Sequence, residues 1–302
     1  MQDFDVLSYG TIGLDRIYSV PHWPHADIST HTSDITEHLG GKAANTAVFL
    51  GAWGLNVALA GTILGTDQVG QEVNQRLHAS NGIDVSYIEN RDGLASMHCL
   101  IFVKSDGERA IVGVNTDGHP CTPVSIEMIE RSGCLTLDLY GGDDRVEAAR
   151  LAQEVGCPVV VGDLRRSDHP VIQFATVAIA SAPELRREYP GRDIRDFALE
   201  VLAKGPEGVL ISDSGHAAML LTHDHGAVWL QPPVVDVLDT TGAGDALRAG
   251  VVYGLVKSMS LTDCAKLGLA TGSLAVTTLG ACTSPPMLEE VKNLAKSILV
   301  SE

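Results

Sequence analysis

Short apolar runs rich in β-branched residues alternate with longer stretches of helical period along most of the chain. Residues 6–9, 57–61, 134–138, 158–163, 177–181 and 208–213 read as strands. Residues 44–52, 69–80 and 145–155 read as helices, the first ending at Gly54. This alternation predicts a parallel sheet with helices on both faces. The last third is mostly helical in pattern, over 246–256, 261–278 and 287–299. Two regions break the rhythm. Residues 16–39 are rich in Thr, Ser, His and Pro, with β-prone stretches at 17–20 and 33–39. Residues 96–103 and 109–114 predict a hairpin turning at Ser105-Asp106-Gly107-Glu108. These strands predict a small separate sheet. The chain has no internal repeat, low-complexity tract or Pro/Ser-rich linker.

The chemistry concentrates in Leu238-Asp239-Thr240-Thr241-Gly242-Ala243-Gly244-Asp245. It follows an extended apolar stretch at 234–237 and precedes a helix. A glycine turn that opens a helix presents backbone N–H groups without intrahelical partners, and the helix dipole adds positive charge. Such a place holds an anion, most often phosphate. Asp245 beside an anion hole has two readings: a helix cap, or a base facing a hydroxyl that attacks the phosphate. Two common phosphate motifs are excluded. A dinucleotide fingerprint needs a glycine where Leu247 stands. The Gly41-Lys42 pair has Thr36 where a Walker loop needs its first glycine, and Ala43 after the lysine.

Composition narrows the partners. The 302 residues, 45% hydrophobic, suffice for one large α/β domain or two smaller ones. Lys and Arg number 21 against 38 Asp and Glu, a formal charge of −17, which argues against nucleic acid as a partner. The six cysteines are scattered without a CxxC pair, so neither a zinc site nor a disulfide framework is expected. An acidic start and the lack of any apolar run near the roughly 20 residues needed to span a bilayer predict a cytoplasmic protein without a membrane partner.

The run Asp239-Thr240-Thr241-Gly242-Ala243-Gly244-Asp245 resembles the C-terminal signature of the ribokinase (PfkB) family of carbohydrate kinases. Gly40-Gly41-Lys42-Ala43-Ala44-Asn45, followed by Ala47 and Leu50-Gly51, resembles its N-terminal signature. The opening Asp5 to Gly10, leading through a turn to Leu14-Asp15, resembles the family's first strand and substrate-binding aspartate. The matches run in family order over essentially the whole chain. The resemblance implies a ribokinase-like three-layer α/β/α fold over residues 1–302, with a mainly parallel central sheet. It also implies a small β-sheet lid from segments of about 12–39 and 96–115.

It further implies ATP and Mg²⁺ as cofactors and γ-phosphoryl transfer to a sugar hydroxyl. Asp245 would be the base, with the N–H groups of Gly242, Ala243 and Gly244 as the anion hole. Asp15, Gly40, Gly41, Lys42 and Asn45 would bind the substrate, although Lys42 projecting into solvent is an equal alternative. Thr240, Thr241, Gly242 and Gly244 would meet the nucleotide, together with Ser181, Glu184 and Ser212. Glu184 would hold the metal through water. Lid segments commonly double as dimer contacts in this family, so a homodimer is expected.

Several positions depart from the family pattern. Ser181 stands in place of the usual asparagine of Asn-x-x-Glu. Ser212-Asp213-Ser214-Gly215-His216-Ala217 replaces Thr-x-Gly-x-x-Gly, which puts nucleotide contacts there in doubt. Arg248 follows Asp245 by three residues on roughly the same helix face. It reads either as a contact to phosphate or an anionic substrate, or as a surface ion pair, and the second is the expectation. His119, His169, His223 and His225 read as solvated loop residues.

The stretch Gly10 to Tyr18 resembles the ketohexokinase-like branch, so a ketohexose is the first substrate class. The enzyme alternative is a nucleoside kinase of the same family. The alternative from another class is a non-catalytic sugar-binding relative.

Overall fold

A computed structural model describes residues 2–32, 34–104 and 108–302. In chain order the elements begin with β1 (Val6–Gly10), β2 (Gly13–Ser19), β3 (Asp34–Gly40), α1 (Lys42–Ala52), β4 (Val57–Gly61) and β5 (Leu64–Gly65). Next come α2 (Gln68–Ala79), β6 (Ile83–Asp84), β7 (Asn90–Arg91), β8 (His98–Val103), β9 (Arg109–Val114), α3 (Ile126–Glu130), β10 (Leu135–Leu137), α4 (Asp143–Glu154) and β11 (Val159–Val161). They are followed by β12 (Val177–Ser181), α5 (Ala182–Glu188), α6 (Ile194–Leu202), β13 (Gly208–Asp213), β14 (His216–Thr222) and β15 (Gly226–Gln231). The chain closes with α7 (Ala243–Val256), α8 (Leu261–Ala275), α9 (Leu288–Lys296) and β16 (Leu299–Ser301).

The central sheet runs β16-β15-β14-β13-β12-β11-β10-β1-β4-β6. It is parallel from β6 through β13, and the three strands beyond join antiparallel. β1 and β4 are buried on both faces, as parallel strands covered by helices must be. Their side chains alternate between two cores. Val6, Val57 and Leu59 pack with residues of α1, α2 and α7 to α9. Leu7, Tyr9, Ala58 and Ala60 pack with residues of α4 to α6. This is the expected three-layer α/β/α arrangement.

The second sheet has the order β3-β2-β8-β9. It is the expected lid, with β2 antiparallel to β3 and parallel to β8, and β8 antiparallel to β9. The expected hairpin turn at Ser105, Asp106 and Gly107 lies outside the described residues. Three local expectations need correction. Residues 234–237 form no strand and pair with none among the described residues, so the glycine turn follows a loop. The last helical stretch stops at Lys296, and residues 299–301 instead join the sheet edge beside β15. Asp15 sits inside a lid strand rather than in a turn after β1. Among the described residues, no helix is long and apolar enough to cross a membrane.

The strand order reverses at β1, which is flanked by β4 on one side and β10 on the other. Loops leaving the carboxyl ends of such strands diverge and leave a crevice. One buried charge pair shapes it. Asp138, just past β10, accepts from Thr11 N at 2.7 Å, Thr11 Oγ1 at 3.1 Å and Tyr140 N at 3.0 Å. Arg145 of α4 stands 3.6 Å away, with its guanidinium 4.8 Å from the Tyr9 ring centroid. Gly10 is obligatory here, because a Cβ would lie 2.1 Å from Asp138 Oδ2. Burial alone would raise the Asp138 carboxyl, but Arg145, then Arg248 and the two backbone N–H groups, hold it below the usual range. A carboxylate so held stabilises the fold above pH ~4, and the contribution is lost as pH falls through its native value. Arg145→Met is therefore expected to cost about 3–5 kcal/mol at pH 7. Chemical denaturation should show that deficit shrinking below pH 4.

Candidate active site

The crevice forms a cavity of about 830 Å³ between the sheet's carboxyl edge and the lid. Its floor is built by the starts of α1 and α7. Gly41 precedes α1 at φ 90°, and a Cβ there would meet Thr11 O at 2.5 Å. Ala43 N and Ala44 N donate to Thr11 O, while Lys42 N donates to Thr11 Oγ1. The turn that Asp138 holds thus sets the direction of α1, and with it Lys42 and Asn45. Gly40 leaves room for a carboxylate, since a Cβ would lie 2.4 Å from Asp15 Cγ.

The start of α7 is held by buried Asp239. Its Oδ1 accepts from Thr241 N at 2.8 Å and Thr241 Oγ1 at 2.7 Å, and its Oδ2 accepts from Gly280 N at 2.9 Å. Gly242 is the N-cap at φ 75°, the left-handed region, and a Cβ there would collide with Ala281. Ala243 N makes a long 3.4 Å bond to Thr240 O. Among the described residues, nothing accepts from the N–H of Gly242, Gly244 or Asp245. The open donors are therefore those three, rather than Gly242, Ala243 and Gly244. A Cβ on Gly244 would meet nothing within 4 Å, so this face is open to a ligand.

Asp245 lies in the first turn of α7 and is only 5% exposed. It is not the cap, which is Gly242. Its Oδ2 accepts from Asn45 Nδ2 at 2.8 Å. Lys42 Nζ and Arg248 Nη2 stand 3.8 and 3.6 Å from its Oδ1. Burial pushes the Asp245 carboxyl up, against Lys42 and Arg248, with Asp163 adding to the rise. Asn45 is buried, and its Oδ1 has no hydrogen-bond partner among the described residues. A buried amide oxygen left open at a cavity wall is costly unless a ligand donates to it.

Lys42 does not project freely into solvent. Its Nζ is 2.7 Å from Asp163 Oδ1 and 5.0 Å from the Tyr140 ring centroid. Burial disfavours its charge, but the Asp163 and Asp245 carboxylates outweigh this and hold the ammonium above its ordinary range. Asp15 hangs from β2 over the same cavity. Burial first, then the Asp245 charge, pushes its carboxyl up to about 7. Cys99 is its neighbour, and burial followed by Asp15 pushes that thiol up to about 11.

Arg248 corrects the surface reading. It is 2% exposed and lies beneath the cavity floor, packed on Thr46, Asp163 and Asp245. His119 also departs from its solvated reading, since it lines the cavity with ring nitrogens 2.9 Å from Asn115 O and Ile63 O. His169 is no free loop residue either, because its Nδ1 accepts from Val171 N. His223 and His225 are exposed at the β14–β15 turn, as expected.

The residues expected on the nucleotide side lie apart. Ser181 and Ser212 sit opposite each other at the ends of β12 and β13, and Thr240 is exposed; none of the three lines the cavity. Glu184 reaches the cavity and pairs with Arg165 at 3.1 Å. Arg186 holds Asp213 through two bonds of 2.8 and 2.6 Å. Among the described residues there is no cluster of His, Cys, Asp and Glu suited to enclose a metal. A lone hard carboxylate such as Glu184 fits a metal carried by phosphates and water.

Two contributors escaped sequence reasoning. Arg109 of the lid reaches across to donate from Nη1 to Thr241 Oγ1 at 2.7 Å. Its period-2 position with Ile111 and Gly113 was the available signal. The Asp138–Arg145 pair left no local signal, because it joins two separate elements.

The chain matches, over residues 3–288, the profile of pfkB family carbohydrate kinases. It is 26% identical to ribokinase of Haemophilus influenzae over 293 residues, covering 93% of this chain and 95% of that protein. It is 26% identical to aminoimidazole riboside kinase of Salmonella typhimurium over 283 residues, covering 85% of this chain and 88% of that protein. The fold superposes on Arabidopsis thaliana ribokinase complexed with ribose and ATP with a TM-score of 0.83, at 22% identity, over 98% of this chain and 99% of that one. A match spanning nearly the whole chain, on a sheet whose reversal point carries this cavity, makes the protein a member of the pfkB family of carbohydrate kinases.

Proposed function

We propose that the protein transfers the γ-phosphoryl group of ATP to a hydroxyl of a small sugar, with Asp245 as the base. One observation carries the reading. A buried carboxylate of raised proton affinity stands between an amide with an open oxygen, Asn45, and a helix start with open N–H groups. The hydroxyl oxygen attacks Pγ, the bond to the β–γ bridging oxygen breaks, ADP leaves, and the hydroxyl proton passes to Asp245. The N–H groups of Gly242, Gly244 and Asp245 meet the charge on the migrating group. Asp15 and Asn45 hold the sugar hydroxyls, with Gly40 and Gly41 allowing close approach. Arg109 ties the lid to the anion-binding turn. Ser181, Ser212, Thr240 and Thr241 border the path of the nucleotide. Mg²⁺, held by Glu184 through water, would supply further countercharge to the phosphates.

A ketohexose-like free sugar is the first substrate reading. A riboside is the second, favoured by an apolar cavity wall of Met97, Ile101 and Ile111 and by a volume high in the range for small-molecule pockets. ADP release with D-fructose, D-ribose and nucleosides separates the two. Ile35 and Val112 of the lid are more than 45% exposed, and we read this sheet as the contact of a homodimer. The six cysteines are free, in keeping with a cytoplasmic protein.

Asp245→Asn is expected to lower kcat by about 10³-fold or more while leaving circular dichroism and sugar binding intact. Turnover close to wild type would remove the base. Sugar binding without ADP release in the wild-type protein would point to the non-catalytic alternative. Asp15→Asn should raise the sugar KM about tenfold. It should also remove a rise of kcat/KM as pH passes through about 7. The native Asp15 keeps a proton between pH ~4 and about 7 that the unfolded chain has lost, so its burial costs stability as pH rises through that window. The Asn variant should therefore melt higher than wild type at pH 8 and no higher at pH 4.

A further inference from the structure

Behind Asp245 lies a closed arrangement of charges that phosphoryl transfer itself does not require. Arg248 stands one turn further along α7, with Nε and Nη2 donating to Thr46 Oγ1 at 3.1 and 2.9 Å. Nη2 also donates to Lys42 O at 2.6 Å and stands 3.6 Å from Asp245 Oδ1. Nη1 stands 3.7 Å from Asp163 Oδ2 and has no hydrogen-bond acceptor among the described residues. Gly162 makes the space, since a Cβ there would lie 2.7 Å from Nη1. Asp163 takes the short contact to Lys42, 2.7 Å against the 3.8 Å from Lys42 to Asp245. Two carboxylates and two cations therefore alternate around a ring. Arg248 does not line the cavity, so it acts on substrate only through Asp245 and Lys42.

We propose that Arg248 and Asp163 are positioning residues with opposite effects on the base: Arg248 keeps Asp245 ionised and fixes its rotation, while Asp163 draws Lys42 aside and leaves Asp245 able to take a proton. This rests on the reading of Asp245 as the base. The groups facing Asp245 are Lys42 and Asn45 from α1, Arg248 from its own helix and Asp163 after β11. Asp15 from the lid and Cys282 after α8 complete the set. An opposite charge at this range moves a carboxyl down by about 1–3 pH units, and a like charge moves it up.

The test is an infrared titration of the protonated carboxyl band that Asp245→Asn removes, paired with the pH dependence of ADP release from ATP with D-ribose and D-fructose. Arg248→Met should move the Asp245 titration, and the acid limb of kcat, up by about one unit or more. Arg248→Lys should return both most of the way. Asp163→Asn should move them the other way, to lower pH. A folded Arg248→Met or Asp163→Asn with an unmoved titration, or a shift of the wrong sign, overturns the proposal. If Arg248→Met does not fold, the Asp163→Asn and Arg248→Lys pair still decides by the sign of the first and the near-wild-type titration of the second. Should Asp245→Asn retain turnover, the base reading fails. Should it lose turnover while Arg248→Met and Asp163→Asn titrate as wild type, only this inference fails.

Discussion

A carboxylate removed from water must be compensated or protonated, and Asp245 is the place where this chain meets that demand. Its compensation comes from α1 and α7 packing side by side with their N-termini together at the cavity. Thr46 Oγ1 donates to the Asp245 backbone oxygen at 3.3 Å and accepts from Arg248, so one hydroxyl joins the two helices. Asn45 and Lys42, on the same first turns of α1, supply the side-chain partners. Any shift of one helix against the other would strip the carboxylate of a donor. The junction is therefore rigid for electrostatic reasons, as well as through its Ala-rich packing of Ala43, Ala44 and Ala47.

The rest of the fold fixes where that junction stands. β1 delivers Thr11, β10 delivers Asp138, β11 delivers Asp163 and β12 delivers Glu184, each just past a strand's carboxyl end. Because the order reverses at β1, these loops spread apart and leave room that no helix fills. Asp138 then closes the circuit by gripping Thr11, whose carbonyl and hydroxyl receive the first N–H groups of α1. The lid closes the cavity from above with Asp15, and Arg109 fastens it to the same α7 turn that Asp239 holds from below.

The parallel sheet, its helices and the lid strands were legible because each rests on local periodicity, and apolar runs such as 57–61 and 208–213 end at the residues where the strands end. The two glycine signatures were legible because their backbone demands are local: Gly41 and Gly242 both take positive φ. What escaped depends on pairing across the chain. Residues 234–237 have strand composition but find no neighbouring edge among the described residues. Asp138 and Arg145 are seven positions apart, and nothing in the sequence says that they face each other indoors.

Arg248 was misplaced for an instructive reason. Helical spacing put it on the face of Asp245, and that face was already expected to meet a cavity. The expectation was nevertheless a surface ion pair. The two statements conflict: a charge one turn from a buried carboxylate on the same helix face is itself drawn inside unless the helix ends. Burying it then requires a second carboxylate, and Asp163 supplies one at φ 59°, a left-handed conformation that Asp tolerates better than most residues. The resulting set is neutral as a whole, so each of its four formal charges has an opposite partner.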